Sequence, residues 1–237
     1  MAVPEFPASL MRERSGSWQI LSSTASVGQS AQGAFPRVTT SGGGLWKCEY
    51  GSINLRTPDH VRAWRALEVL CDGGSAPIIV PMCDKRHFPA PIVDGKPLYA
   101  IGAVPHSDGA LFDDGAGYAQ NIVDASVLLD APLRAVSLAL SFAAGGPLRG
   151  GEFFSIEHPT QGWHLYEVGT VDDQGGGNSV ITFRPPLREA VTAGMYLEFD
   201  RPRCVMMLAD PNVMKLTLSM RRFADTDVSF VEYFYPV

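Results

Sequence analysis

Four arginines mark the stretch NSVITFRPPLREAVTAGMYLEFDRPRC, Asn178 to Cys204: Arg184, Arg188, Arg201 and Arg203. A guanidinium fork grips a carboxylate or a phosphate with two parallel hydrogen bonds, and it tolerates burial better than an ammonium does. The stretch is therefore either an anion pocket or a structural joint. Two alternating apolar runs flank the joint, Val180, Ile181 and Phe183 on one side and Met195, Leu197 and Phe199 on the other. Pro185 and Pro186 cannot donate ladder hydrogen bonds, so the strand from Val180 must stop at them. Leu187 and Val191 can then plug the end of a barrel, and Gly194 frees the backbone for the next strand. This favours a barrel corner. The four arginines become candidate subunit-interface residues, with Arg184 and Arg188 left for a neighbouring subunit and Glu189, Glu198 and Asp200 as pairing partners within the segment.

Other residues capable of chemistry are scattered. Cys48, Cys71, Cys83 and Cys204 include no CxxC pair and read as buried free thiols. Cys83, Asp84 and His87 offer mixed ligands within a few positions but lack a second ligand pair, which a structural zinc site needs. His158 and His164 flank a Pro-Thr-Gln-Gly turn and read as hairpin neighbours. Ser107, Asp108, Asp113 and Asp114 lack the spacing and the closing Glu of a calcium loop. Ser30 and Ser155 have no evident His and acid to activate them. No GxxxxGK[ST], GxGxxG, HExxH or GxSxG string occurs. The expectation is a chain with no catalytic residue, no cofactor and no metal. Trp163, His164 and Tyr166 remain as candidate glycan contacts, because aromatic faces near a hairpin end suit sugar stacking and equally suit a core.

These residues need a scaffold, and the composition describes one. The chain has 237 residues, 24 Gly and 18 Pro, which suits short strands and many turns. Its net charge of −6 argues against a nucleic-acid groove or an anionic membrane as the main partner. No apolar run approaches the ~18 residues of a membrane span. The N-terminus MAVPEFPASLMRERSG lacks the pattern of a secretory signal.

Period-2 alternation in Leu45 to Tyr50 gives a strand with Trp46, Cys48 and Tyr50 on one face. Thr57, Pro58 and Asp59 open a helix over about 58–72, with Val61, Trp64, Leu67, Leu70 and Cys71 on its apolar side. Residues 84–131 read as a long arm, ordered on a neighbour. Strands are expected at 133–140, 203–208, 214–220 and 228–235. The fold class is all-β in the main, a β-sandwich with one flanking helix and an inserted small β-barrel. The sandwich takes 1–146 plus 201–237 and the barrel takes 147–200.

Several phrases resemble distal tail proteins of long-tailed bacteriophages and prophages. They are GLWKCEYGSINLRTPDHVRAWRALEVLCDGG, PIIVPMCD and GEFFSIEHPTQGWHLYEVGTV…ITFRPPLREAVTAGMYLEFDRPRC. The resemblance implies a tail-tube-like β-sandwich, a peripheral inserted β domain, and six copies in a ring around a lumen. It implies tail tube protein and tip hub or baseplate proteins as partners, and a place in the virion tail after assembly in the host cytoplasm. Genomic DNA would pass through the lumen without specific binding, which a negative chain suits, and no membrane insertion is implied. The alternatives are a carbohydrate- or receptor-binding β module, another minor tail protein, or a tail-tip hydrolase.

Overall fold

A computed structural model describes residues 3–21, 24–26, 28–29, 32–33, 37–39, 43–82, 86–101, 107, 112, 120–220, 223–234 and 236. The first elements are β1 (Ser15–Leu21), β2 (Thr24–Ser26), β3 (Arg37–Thr39), β4 (Leu45–Leu55), α1 (Pro58–Leu70) and β5 (Ile78–Pro81). Next come β6 (Ile92–Val93), β7 (Lys96–Pro97), β8 (Asp124–Val127), β9 (Ser137–Ala144) and β10 (Phe153–His158). The last are β11 (Gly162–Gly175), β12 (Asn178–Arg184), β13 (Tyr196–Leu197), β14 (Arg203–Leu208) and β15 (Ala224–Glu232). The protein is mainly β, with one α-helix among the described residues. That helix is too short to cross a membrane.

One sheet has the antiparallel order β1-β4-β15-β14-β5. Trp46, Cys48 and Tyr50 point to its apolar face, as alternation requires, while Lys47 and Glu49 pair at 2.6 Å on the other. The alternation changes phase after Tyr50, so that Ile53 and Leu55 become the buried residues. A bulge explains this: the register shifts between Thr226 and Val228, and the Asp227 carboxylate accepts the Ser52 N–H at 2.7 Å. The β5 edge is covered by the N-terminal segment, where the Phe6 N–H donates to the Ile79 carbonyl.

The apolar face is covered by α1, by Phe6 and Met11, and by Leu165 from β11. Thr57 caps α1 through the His60 N–H, and the Trp64 indole donates to the Met214 carbonyl at 2.9 Å. Val61, Trp64, Leu67 and Cys71 are buried, but Leu70 is 44% exposed. Three residues turn a helix by about 60° less than a full circle. The stripe through 61, 64 and 67 has therefore drifted to the solvent side by Leu70, and Cys71 returns to the core.

A second sheet, ordered β10-β11-β12-β9-β8-β13, curls into a nearly closed barrel. Ser155 and Glu198 exchange two backbone hydrogen bonds of 2.9 Å across the seam. Phe154, Tyr166, Phe183 and Phe199 fill the interior, with Phe154 stacked on Tyr166 at 5.4 Å. The corner is built as its prolines require. β12 stops at Arg184, Leu187 and Val191 are each 1% exposed inside the barrel, and Val191 bridges Ala131.

Several boundaries differ from the expectation. β8 and β9 pair within the barrel, so this unit begins near residue 122 instead of 147, and the end of the 84–131 arm is one of its strands. The layer over the five-stranded sheet combines α1, the N-terminal segment and the β11 wall of the barrel sheet. Met214 to Met220 keeps an alternating burial but forms no strand; its backbone turns, and the Met214 carbonyl serves Trp64. Much of the arm's middle lies outside the described residues.

Candidate functional site

A dense polar cluster lies where the barrel meets the sheet. Glu232 ends β15, and alternation from Val228 and Phe230 turns its side chain inward, where it is 2% exposed. A buried carboxylate is tolerated only if its charge and lone pairs are matched. Arg188, held at the corner after Leu187, supplies the charge. Its Nε donates to Oε1 at 2.9 Å and its Nη2 to Oε2 at 2.7 Å. Oε1 also accepts from His164 Nδ1 at 2.8 Å, and Oε2 accepts the Trp46 N–H at 3.0 Å. All four lone-pair directions of the carboxylate are filled. Burial alone pushes the Glu232 carboxyl upward, but the His164 hydrogen bond and the Arg188 charge outweigh it and hold the group below the ordinary range.

The network reaches across both units. Arg188 Nη2 donates to the Gly44 carbonyl just before β4, and the guanidinium lies over the Phe234 ring at 4.5 Å. The Arg188 N–H donates to the Tyr166 hydroxyl, which lies 2.7 Å from His158 Nε2. The hydroxyl thus joins the Arg188 backbone to the His158 ring, whose Nδ1 is buried without a hydrogen-bond partner. Burial, then His164 and Arg188, lower the His158 pKa to about 3, so the ring is neutral. The Trp46 indole adds a 2.7 Å bond to the Leu165 carbonyl. Sheet, corner and barrel strand are thus tied at one point.

His164, Cys204 and Glu232 bring three potential ligand atoms within 4.8 Å of one another, and all three residues are buried. His164 Nε2 has no hydrogen-bond partner. The donor set nevertheless fits a cation poorly. A metal would have to displace a hydrogen bond already made to Glu232, beside the fixed charge of Arg188, and burial holds the Cys204 thiol well above its ordinary range. Charge matching is what these groups accomplish.

The candidate residues from the sequence separate accordingly. Arg188 is not left for a neighbouring subunit: its side chain is 4% exposed and bound to Glu232. Arg203 is also taken internally, 3.5 Å from Glu5, 3.7 Å from Glu198 and 4.6 Å above the Trp163 ring. Only Arg184 and Arg201 are exposed. Glu189 serves Thr160 and Gln161, and Asp200 accepts the Ile122 and Val123 N–H groups. Of the three expected acidic partners, Glu198 meets an arginine, Arg203.

His164 and Tyr166 are fully buried, and Trp163 is capped by Arg203, so the three make no glycan platform. Alternation cannot separate a sugar platform from a barrel wall, and here the wall wins. Ser155 is buried, with its hydroxyl accepting the Arg203 N–H. His158 and His164 are hairpin neighbours, with rings 5.8 Å apart. Cys48, Cys71 and Cys204 are buried free thiols. Cys83, Asp84, Ser30, Asp108, Asp113 and Asp114 lie outside the described residues.

Sequence reasoning missed Glu232. Its signal was present, since a carboxylate in phase with Val228 and Phe230 must be paired. No protein-family model matches the chain, and no curated protein matches it.

Proposed function

We propose that this protein is a non-catalytic structural component of a bacteriophage tail tip, a distal tail protein whose copies form a ring between the tail tube and the tip hub. The observation that carries the reading is an apolar surface at the β8–β9 end of the barrel. Leu128, Leu129, Leu133 and Val136 are 40%, 63%, 54% and 37% exposed, and Val180 on β12 adds a further 36%. Val180 pairs with Ala139, whose carbonyl accepts the Leu128 N–H, so these residues run across adjacent strands. Apolar groups clustered in this way mark protein–protein contact. A closed ring would cover such a surface on every copy. Arg184, exposed at the end of β12, would supply polar rim contacts. The joint at Glu232 supports the same reading, because it fixes the barrel to the sheet, as a load-transmitting adaptor requires.

The test is electron microscopy of the purified chain, alone and with its tube partner, combined with mass measurement in solution. Rings that collapse to monomers in Leu129→Asp/Leu133→Asp are expected. A wild-type chain that stays monomeric at high concentration and never stacks on tubes would sink the proposal.

A further inference from the structure

Residues 86–99 lie along the barrel edge formed by residues 145–152. The Gly146 N–H donates to the Pro89 carbonyl at 2.7 Å. A Cβ on Gly146 would stand 2.3 Å from the Ala90 carbonyl oxygen, so the approach requires glycine there. Phe88, 9% exposed, joins the barrel core and anchors the segment. Between segment and edge opens a cleft of about 540 Å³, whose walls include Arg86, His87, Phe88, Tyr99, Arg149 and Glu152. That volume lies within the usual range for small-molecule sites, roughly 300–1,000 Å³.

The described walls of the cleft carry an exposed cation, although the chain as a whole is negative. Glu152 is the only acid among the described residues of the walls, and it is 7% exposed. Both its oxygens accept backbone N–H groups, from Arg149 and from Gly150, each at 2.7 Å. Its charge is thereby turned to its own loop. Among the described residues the exposed guanidinium of Arg149 has no carboxylate partner. A chain of net charge −6 thus presents an exposed guanidinium at a concave site. Tyr99 contributes an aromatic wall. It stands edge-on to Phe88 at 5.9 Å and remains 46% exposed.

A guanidinium and an exposed aromatic ring lining one cleft match a ligand with a carboxylate and a flat apolar face. A bare anion would use the arginine and ignore the ring. An acidic peptide would extend a strand edge, but β6 and β7 offer two residues each and are paired with one another. We propose that this cleft binds an acidic saccharide, with a sugar carboxylate on Arg149 and a ring face on Tyr99. The site is independent of whether the chain assembles into a ring.

Calorimetric titration of the full chain with trigalacturonate tests this, with maltotriose, inorganic phosphate and a glutamate-rich peptide as comparison probes. Saturable binding of trigalacturonate is expected, about tenfold weaker for maltotriose and about tenfold weaker in each of Arg149→Gln and Tyr99→Ala. Both replaced side chains are exposed, so wild-type thermal unfolding of the variants checks that any loss is local. Absence of saturable trigalacturonate binding overturns the proposal. So does phosphate or peptide binding of equal affinity, or binding that survives both substitutions.

Discussion

Arg188 and Arg149 carry the same guanidinium, and their surroundings use it in opposite ways. Arg188 is sealed against Glu232 and Gly44, and His164 holds the same carboxylate, so that its charge and the carboxylate lone pairs are both matched. Arg149 stands at an open cleft where the acid Glu152 has been committed to backbone N–H groups. Removing a buried partner strands a charge in a low-dielectric interior, whereas removing an exposed one mostly exchanges it for water. The first arginine therefore contributes to the fold, and the second is available to a ligand.

The contrast breaks most visibly at Arg188. Arg188→Ala should lower unfolding free energy by about 3–5 kcal/mol, since Glu232 is left buried and unpaired. Replacing both partners, Arg188→Met with Glu232→Leu, should recover much of that loss in denaturant melts. Equal damage from the double variant would mean that the cluster stabilises through its geometry and not through charge matching.

Acid should loosen the same joint. The His158 pKa is lowered to about 3, so below its ordinary value near 6.5 the unfolded chain binds a proton that the folded chain refuses. Its contribution is complete above pH 6.5 and falls towards pH 3 at up to about 1.4 kcal/mol per pH unit. Glu232, also lowered, contributes fully above its ordinary value and loses that contribution as pH falls through its folded one. Asp200 and Glu167 are raised by burial and act in the opposite sense. The measurement is therefore the difference between wild type and His158→Phe: the wild-type slope should be steeper between pH 6.5 and 4.5.

Trp46→Phe should cost about 1 kcal/mol beyond its lost packing, because the Leu165 carbonyl loses its donor. Arg149→Gln should change stability by less than about 0.5 kcal/mol. A loss of several kcal/mol there would place Arg149 with Arg188 and erase the distinction.

The legible parts of the fold were those decided by neighbours in sequence. Thr57, Pro58 and Asp59 announce α1, and Pro185, Pro186 and Leu187 announce the corner. The extent of the barrel was hidden because β8 is the short run Asp124–Val127 inside a loop-rich segment, and its strand character comes from β9 and β13. Met214 to Met220 erred the other way: it alternates, but among the described residues its pairing is a single bridge, Ser219 to Phe223. Arg188 and Glu232 belong to different units, so their contact follows from how those units pack. The exposed Arg184 and the buried Arg188 stand four positions apart in one motif, and composition cannot distinguish them. Only the direction in which the corner turns does so.

The position of β15 has a consequence for how the chain comes into being. It lies between β4 and β14, so the interior of the sheet consists of strands made at opposite ends of a long synthesis. Every barrel strand has emerged before β14 begins. The barrel can therefore close while β1, β4 and β5 still wait with Trp46, Cys48 and Tyr50 uncovered. During that interval the nascent sheet is the part of the chain that needs protection from its neighbours. The arrival of Glu232 completes the sheet and joins it to the finished barrel.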